Sequence, residues 1–164
     1  MEIITKSAEE TRRLGQRLSA DLGGGEVFAL TGDLGSGKTT FIQGFAGGLG
    51  VERAISPTFI LVKRYEIKFK TQNSKLKTTR PHRIRESVSG AVTQNLKFFY
   101  HIDLYRLEGD VEGELVEQGV QDLMGKRENV VAVEWADKAP GAWPRGTKWI
   151  RLESLNGDKR KISY

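Results

Sequence analysis

The chain has 164 residues, of which 38% are hydrophobic, and no cysteine. This composition suits one globular domain and excludes disulfides and thiolate metal sites. No apolar run reaches the roughly 18 residues of a membrane span, and the opening sequence MEIIT does not resemble a signal peptide, so we expect a cytoplasmic protein. The net charge of +5 is local, because seven basic residues and one acid lie between Lys70 and Lys97.

The N-terminal segment predicts a short strand followed by a capped helix. Residues 3–5 favour a strand, and the sequence SAEE at residues 7–10 has the spacing of a capping box. Ser7 would cap the first turn, and Glu10 would accept a hydrogen bond from the Ser7 N–H. Leu14, Leu18 and Leu22 recur at helical spacing, and the glycines at 23–25 predict the end of the helix. We expect this helix to be scaffold.

The sequence GDLGSGKT at residues 32–39 fills the pattern G-x-x-x-x-G-K-[ST] of a phosphate-binding loop. Apolar residues at 26–31 predict a strand before it, and the apolar spacing of residues 41–49 predicts a helix after it. This order places backbone N–H groups and a helix N-terminus against a phosphate, which favours a nucleotide site over an incidental glycine-rich turn. The residues predicted to contact nucleotide here are Asp33, Leu34, Gly35, Ser36, Gly37, Lys38, Thr39 and Thr40.

Within this loop, Lys38 and Thr39 carry the chemistry. The Lys38 ammonium would reach the β- and γ-phosphates, and the Thr39 hydroxyl would ligate Mg²⁺.

The sequence SPTF at residues 56–59 predicts a turn before a strand at residues 60–67. In nucleotide hydrolases a threonine at such a place can approach Mg²⁺ and the γ-phosphate, but on this sequence alone a simple turn residue is the favoured interpretation of Thr58. Residues 68–97 are polar and basic, which favours a flexible, solvated insertion. The alternative is an arm that contacts a nucleic-acid phosphate backbone.

Residues 98–107 alternate as a strand, with His101, Asp103 and Tyr105 on one face. A carboxylate at the end of such a strand can hold Mg²⁺ directly or through water, although Asp103 could equally form an ion pair with Arg106. We interpret His101 as a hydrogen-bonded structural residue rather than a base.

The C-terminal third predicts a helix, a buried strand and a hairpin. Residues 112–124 carry Val116, Val120 and Leu123 at helical spacing. Residues 129–135 form an almost continuous apolar run that ends at Glu134, as a buried parallel strand would. Ligands of doubly wound folds lie at such strand ends, so Glu134 is a candidate to bind Mg²⁺ or position the attacking water. Residues 148–153 and 159–164 predict the hairpin.

Four motifs in this order resemble the TsaE (YjeE) family, the small bacterial P-loop ATPases of tRNA threonylcarbamoyladenosine biosynthesis. They are GDLGSGKTT (32–40), SPTF (56–59), HIDLYRL (101–107) and VEWAD (133–137). The resemblance covers the chain apart from about residues 68–96. It implies a single P-loop NTPase-like α/β domain spanning residues 1–164, with three layers around a mixed, largely parallel central sheet and the basic insertion set into it.

The resemblance also implies the ligands ATP and Mg²⁺ and a set of site residues. Lys38 would hold the phosphates, while Thr39 and Glu134 would organise Mg²⁺. Thr58 would be a switch residue near the γ-phosphate and the metal, and Asp103 a metal-shell or water-orienting group. Trp135 would lie near the nucleotide.

The implied partners are similar to TsaD and TsaB, which transfer the threonylcarbamoyl group to tRNA, so this chain would meet tRNA through their complex or through its basic insertion. No arginine finger is evident, and we therefore expect weak activity without partners. The alternatives are a small-molecule kinase that uses the same loop and a non-enzymatic, nucleotide-dependent tRNA-binding module. A guanine-selecting N-K-x-D motif is absent, which favours ATP over GTP.

Overall fold

A computed structural model of the protein describes residues 1–55, 57, 61–68 and 95–164. Within those ranges no helix is both long enough and apolar enough to cross a bilayer. Thr58, most of the predicted turn around it and nearly all of the predicted basic insertion lie outside the described residues. What the sequence predicts for them stays a prediction.

The described residues form seven strands and three α-helices around one sheet. The strands are β1 (Glu2–Thr5), β2 (Val27–Thr31), β3 (Val62–Glu66), β4 (Phe98–Asp103), β5 (Asn129–Glu134), β6 (Lys148–Ser154) and β7 (Arg160–Ser163). The helices are α1 (Ala8–Leu18), α2 (Lys38–Gly48) and α3 (Val111–Glu117). Three short 3-10 helices follow, at Val120–Leu123, Ala136–Lys138 and Pro140–Ala142.

The sheet is mixed, with the order β1-β7-β6-β2-β5-β4-β3. Its four central strands, β6, β2, β5 and β4, run parallel, and the outer pairings are antiparallel. The predicted mixed, largely parallel sheet is therefore confirmed. Parallel strands end at one edge, so the segments that follow β2, β4, β5 and β6 all begin at the same edge of the sheet.

Helices cover both faces of the sheet, which confirms the predicted three layers. On one face α1 and α2 bury an aromatic core, in which the Phe45 ring lies 4.7 Å from Phe28 and 5.8 Å from Phe99. On the other face, α3 and the first 3-10 helix bury Leu115 and Val120 against β2, β4 and β5. Strand β5 lies between these layers and is buried along its whole length, as its apolar run predicts.

Helices α1 and α2 pack backbone against backbone. A Cβ atom at Gly44 would lie 2.0 Å from the Arg12 carbonyl oxygen, and one at Gly15 would lie 2.3 Å from that of Phe41. No side chain larger than hydrogen fits at either position without moving a helix. The two glycines therefore permit the close approach that places α2, and the loop before it, against the sheet.

Two expectations about α1 were wrong. The helix ends at Leu18 rather than at the glycines, because Ser19 caps it and donates its hydroxyl to the Gln16 carbonyl at 2.9 Å. Leu22 is still buried, but it lies in the segment between α1 and β2, beyond the helix. Ser7 accepts from the Glu10 N–H as predicted, whereas the Glu10 carboxylate accepts from the Lys6 N–H at 2.7 Å and not from Ser7.

The predicted helix at 112–124 was also wrong in length. Gly119 adopts a φ of 66° and separates α3 from the 3-10 helix that follows. Val116, one of the three apolar residues at helical spacing, is 60% exposed, whereas Leu115 is fully buried. Because the left-handed glycine resets the helical register, residues before and after it do not share one stripe.

The predicted strand at 98–107 ends early, at Asp103. The Asp103 Oδ1 atom accepts a hydrogen bond from the Tyr105 N–H at 3.0 Å, which closes a turn. Tyr105 therefore does not share a strand face with His101 and Asp103, contrary to the expectation. Strand β3 covers Val62–Glu66, so Leu61 and Ile67 of the predicted 60–67 lie outside it. The C-terminal hairpin of β6 and β7 is confirmed, with Gly157 at a φ of 66° in its turn.

Candidate active site

The predicted phosphate-binding loop connects β2 to α2. Gly37 precedes α2 with a φ of 103°, a conformation that suits glycine, and no side chain caps the helix. The first turn of any helix leaves backbone N–H groups without intrahelical partners. Here that turn lines an open cleft, so its N–H groups and the positive end of the helix dipole suit a bound anion.

Lys38 is held inside this loop. Its Nζ atom donates to the Gly32 carbonyl at 2.7 Å and to the Asp33 carbonyl at 2.9 Å. The same ammonium lies 3.6 Å from the centre of the Trp135 ring, a cation–π contact. Only 4% of Lys38 is exposed, so its ammonium is surrounded by protein groups rather than by solvent.

Burial lowers the pKa of Lys38 below its ordinary value, while the carboxylates of Glu134 and Asp103 oppose that shift. The Lys38 ammonium is poorly solvated, and the nearby carboxylates offset only part of that cost, so a bound anion would stabilise its charged form. The electrostatics therefore favour a phosphate at this point of the cleft.

A chain of three side chains joins α2 to the two neighbouring strands. The Thr39 hydroxyl lies 2.8 Å from Glu134 Oε2 and 3.0 Å from Oε1, and donates to this carboxylate. His101 Nε2 lies 2.9 Å from Glu134 Oε1. Because His101 and Glu134 are 1% and 2% exposed, the carboxylate is fixed from both sides within the protein.

Asp103 lies beside Glu134, since the ends of β4 and β5 pair at these two residues. Both carboxylates line the cleft, whose volume is about 320 Å³, together with Lys38 and Thr39. The cleft thus combines one buried cation, two carboxylates and a helix N-terminus. This set suits a phosphate ester bound together with a divalent cation.

Trp135 turns the chain away from the end of β5. With a φ of 60°, it is the one non-glycine residue with positive φ in the described part of the chain. Its ring contacts the Lys38 ammonium and stacks obliquely on Tyr105, with ring centres 5.2 Å apart. Strained backbone of this kind clusters at functional sites, where the surrounding contacts hold it in place.

The structure brings together most of the residues that the sequence singles out. Those that line the cleft are Leu34, Gly35, Gly37, Lys38, Thr39, Thr40, Asp103, Glu134 and Trp135. Asp33 contributes its carbonyl to Lys38, and the Ser36 side chain is turned inward and fully buried. Thr58 lies outside the described residues. The roles assigned to all of these residues stay predictions.

Sequence reasoning missed two features of the cleft. His101 was interpreted as a hydrogen-bonded structural residue, but the sequence did not name its partner, which is Glu134 in the wall of the cleft. Tyr105 lines the cleft from the turn after β4. Lys138 holds that turn, donating to the Tyr105 carbonyl and, at 2.8 Å, to the Leu107 carbonyl. The signal that could have linked His101 to the site was its spacing from Asp103. Residues two apart in a strand share a face, and β4 pairs with β5 in the sheet.

The residues that could hold Mg²⁺ are few and all carry oxygen. In the described ranges, no three or more His, Asp or Glu side chains converge as a metal site. Mg²⁺ in phosphate-transferring proteins usually takes one or two carboxylates and completes its shell with water and phosphate oxygens. The contact between the Thr39 hydroxyl and the Glu134 carboxylate fits a metal shared with a nucleotide.

Comparison with known proteins gives one family. A family model described as "Threonylcarbamoyl adenosine biosynthesis protein TsaE" matches residues 5–79 and 84–162. The chain is 30% identical over 161 residues to the tRNA threonylcarbamoyladenosine biosynthesis protein TsaE of Bacillus subtilis, covering 98% of this chain and 82% of that protein. The protein of the same name from Aquifex aeolicus is 30% identical over 164 residues, with 98% and 92% covered.

A solved structure agrees with the sequence comparisons. The crystal structure of YdiB from Bacillus subtilis matches with a TM-score of 0.64 and 29% sequence identity. The match covers 99% of this chain and 82% of that chain. Sequence and structure therefore agree over nearly the full length.

Proposed function

Because the chain belongs to the TsaE family of threonylcarbamoyl adenosine biosynthesis proteins, we propose that it is the Mg²⁺-dependent ATPase of a tRNA-modifying machinery. In this proposal it hydrolyses ATP in support of partners similar to TsaD and TsaB. Those partners, and not this chain, transfer the threonylcarbamoyl group to tRNA.

The contact between Thr39 and Glu134 carries the proposal. Thr39 follows the phosphate-loop lysine, and Glu134 ends the neighbouring parallel strand, 95 residues further along the chain. Phosphate-loop hydrolases hold Mg²⁺ with a loop hydroxyl and an acidic residue at a strand end. In this chain the two groups lie 2.8 Å apart in a cleft that also contains Lys38.

The chain's own groups have distinct tasks in this reaction. The α2 N-terminus binds the phosphate chain through backbone N–H groups, and Lys38 neutralises charge on the β- and γ-phosphates. Thr39 and Glu134 would hold Mg²⁺, which supplies further neutralisation of the phosphate oxygens. Asp103, at the end of β4, orients the attacking water. Positioning and charge neutralisation are what phosphoryl transfer to water requires.

Turnover by the isolated chain is expected to be slow. Among the described residues that line the cleft there is no arginine, whereas an added arginine often stabilises the transition-state charge in such hydrolases. A partner that reaches the open cleft would supply or order the missing group. This links hydrolysis to assembly of the modifying complex.

The test is Mg²⁺-dependent release of phosphate from ATP, measured with the chain alone and after addition of a TsaD- and TsaB-type complex. We expect stimulation by the complex, without any small-molecule acceptor. Lys38→Ala and Glu134→Gln should each lower turnover by more than about 100-fold, with nucleotide affinity reduced much less in Glu134→Gln.

Glu128→Gln is the matched control, because Glu128 precedes β5 at the opposite end of the strand and its side chain is exposed. Its turnover should equal that of the unmodified chain. Unchanged turnover in the Lys38 and Glu134 variants would contradict the proposal. Transfer of phosphate to a small metabolite, in place of phosphate release, would favour the kinase alternative.

A further inference from the structure

Two turns that follow neighbouring strands carry residues of the cleft wall. Strand β4 ends at Asp103 and β5 ends at Glu134, and the register pairs these two residues. Tyr105 lies in the turn after β4 and Trp135 in the turn after β5, and both line the cleft. Because the hydrogen bonds of the sheet end with the strands, each turn needs contacts of its own to keep a defined position.

Lys138 joins the two turns. Its backbone N–H donates to the Trp135 carbonyl at 3.1 Å, within the short 3-10 turn after β5. Its half-buried side chain donates through Nζ to the Tyr105 carbonyl at 2.6 Å and to the Leu107 carbonyl at 2.8 Å. An ammonium has three donors, and its hydrogen bonds are stronger than those of a neutral donor. Lys138 therefore holds the turn after β5 through its backbone and the turn after β4 through its charge.

The hydrogen bond to Tyr105 bears directly on Asp103. The Tyr105 N–H donates to Asp103 Oδ1 at 3.0 Å, so the main chain of Tyr105 contacts the carboxylate on one side and Lys138 on the other. Tyr105 is 41% exposed, and burial alone therefore does not fix its position. A bond to its carbonyl restricts its backbone, and with it the N–H that orients the Asp103 carboxylate.

Other hydrogen bonds hold the rest of the segment that follows β5, residues 135–143. Trp143 Nε1 donates to the Ala136 carbonyl at 2.8 Å, and the Gly141 N–H donates to Glu112 Oε1 at 2.8 Å. These bonds attach the segment to itself and to α3 without the Lys138 side chain. The two bonds of the Lys138 ammonium therefore serve the turn after β4 rather than the fold of their own segment.

We infer that Lys138 is a positioning residue for ATP hydrolysis and that it acts through Asp103. Lys138 does not line the cleft itself. By holding Tyr105, it keeps the Asp103 carboxylate in the direction in which that group orients the attacking water. The inference rests on the proposed hydrolysis, and it adds a residue that none of the sequence motifs includes. Loss of this contact slows the chemical step and leaves nucleotide binding, which depends on the phosphate loop, unchanged.

The experiment is a double-mutant cycle, measured by single-turnover hydrolysis of ATP with the full chain in excess and Mg²⁺ present. Lys138→Met keeps an unbranched stem and removes the ammonium. We expect it to lower the rate about 10-fold, the usual effect of removing a group that orients a functional side chain, with an unchanged dissociation constant for ATP. In an Asp103→Ala background, the same substitution should lower the rate less than about twofold, because no carboxylate remains to be oriented.

Two further variants and a second measurement separate positioning from a general loss of structure. Lys138→Arg can still donate to both carbonyls and should recover most of the rate. Lys126→Met removes the same charge from an exposed lysine before β5, and should hydrolyse ATP as the unmodified chain does. Hydrogen exchange of the Tyr105 N–H, measured without nucleotide, should be faster in Lys138→Met than in the unmodified chain or in Lys126→Met.

An equal loss of rate with and without the Asp103 carboxylate would show that Lys138 does not act through Asp103, and would overturn the inference. An unchanged rate in Lys138→Met would do the same, as would weaker ATP binding at an unchanged rate. If the unmodified chain released no phosphate even with a TsaD- and TsaB-type complex present, the proposed function would fail, and the inference would fall with it. That result is distinct from the others, because it is seen before any substitution is made.

Discussion

Lys38 shows at the scale of one residue how burial and charge are balanced in the cleft. Its ammonium is satisfied by two carbonyls of its own loop and by the Trp135 ring. The loop and the Trp135 ring thus hold the cation in place, which lowers the cost of ordering the site when an anion binds.

The lowered pKa of Lys38 predicts a pH dependence of stability. Because burial lowers this pKa in the folded chain, the unfolded chain binds more protons between the lowered and the ordinary value, and the free energy of unfolding rises with pH there. As the pH rises toward the ordinary lysine pKa of about 10.4, the unmodified chain should gain stability relative to Lys38→Met. Denaturant unfolding without nucleotide measures this. Lys148→Met, at a half-exposed lysine, is the control, and a gain that falls with pH for Lys38 would contradict the assignment.

His101 is the residue that we expect to position Glu134. Its Nε2 holds one carboxylate oxygen, while its Nδ1 is buried without a hydrogen-bond partner in the described part of the chain. His101→Ala should lower ATP turnover by about 10- to 100-fold, the usual effect of removing a group that orients a metal ligand. It should also raise the Mg²⁺ concentration needed for half-maximal activity.

The readouts for His101 separate positioning from general destabilisation. His101→Gln, which can still donate to Glu134, should recover part of the turnover and of the Mg²⁺ dependence. Tyr100→Phe, on the same strand, should leave both unchanged. If His101→Ala lowered thermal stability but not the Mg²⁺ requirement, the residue would be purely structural.

At the scale of elements, the pairing of α1 with α2 decides where the phosphate loop lies. The two helices meet at glycines, and the Thr11 side chain near the start of α1 is buried and bonded to Thr5 at the end of β1. Helix α2 is thereby held against the sheet by a neighbour that contributes no catalytic group. Helix α1 therefore has the scaffold role expected for it, and its particular task is to hold α2 in place.

Two glycines of α2 predict opposite effects of the same substitution. Gly44→Ala would place a Cβ 2.0 Å from the Arg12 carbonyl and should destabilise the chain by about 1–3 kcal/mol. At Gly47 the Cβ would meet no atom within 4 Å, and Gly47→Ala should stabilise the chain by about 0.5–1 kcal/mol through helix propensity. Denaturant unfolding measures both. Similar values for the two variants would show that the helices do not pack as closely as described.

At the scale of the whole molecule, the site depends on strands and loops that come from distant parts of the sequence. The phosphate-binding loop with helix α2, the end of β4 and the end of β5 supply the cleft. A ligand that bridges these elements should therefore stabilise the entire described fold rather than the loop alone.

This coupling predicts a ligand-dependent unfolding temperature. Mg²⁺ and ATP at about 100 times the dissociation constant should add ~2.7 kcal/mol to the free energy of unfolding, seen as a higher Tm in a thermal scan. Removing Mg²⁺ with a chelator should reverse most of the gain, and Lys38→Ala should show little of it. An equal shift in Lys38→Ala would mean that the nucleotide binds elsewhere.

Local patterns in the sequence determined the parts of the site. The order of strand, glycine loop and helix placed Lys38 and Thr39, and the apolar run of β5 placed Glu134 at a strand end. Such patterns record the period of a helix or strand and the backbone needs of a loop, which are properties of neighbouring residues. They failed where a turn resets the register, as at Gly119, or where a side chain caps an element early, as at Ser19.

The tertiary structure alone decided which of these parts meet. The Thr39 hydroxyl and Glu134 are 95 residues apart in sequence but 2.8 Å apart in space, and His101 joins them because β4 pairs with β5. Strand order and helix packing are set by the burial of the whole core, and no short stretch of sequence carries that information.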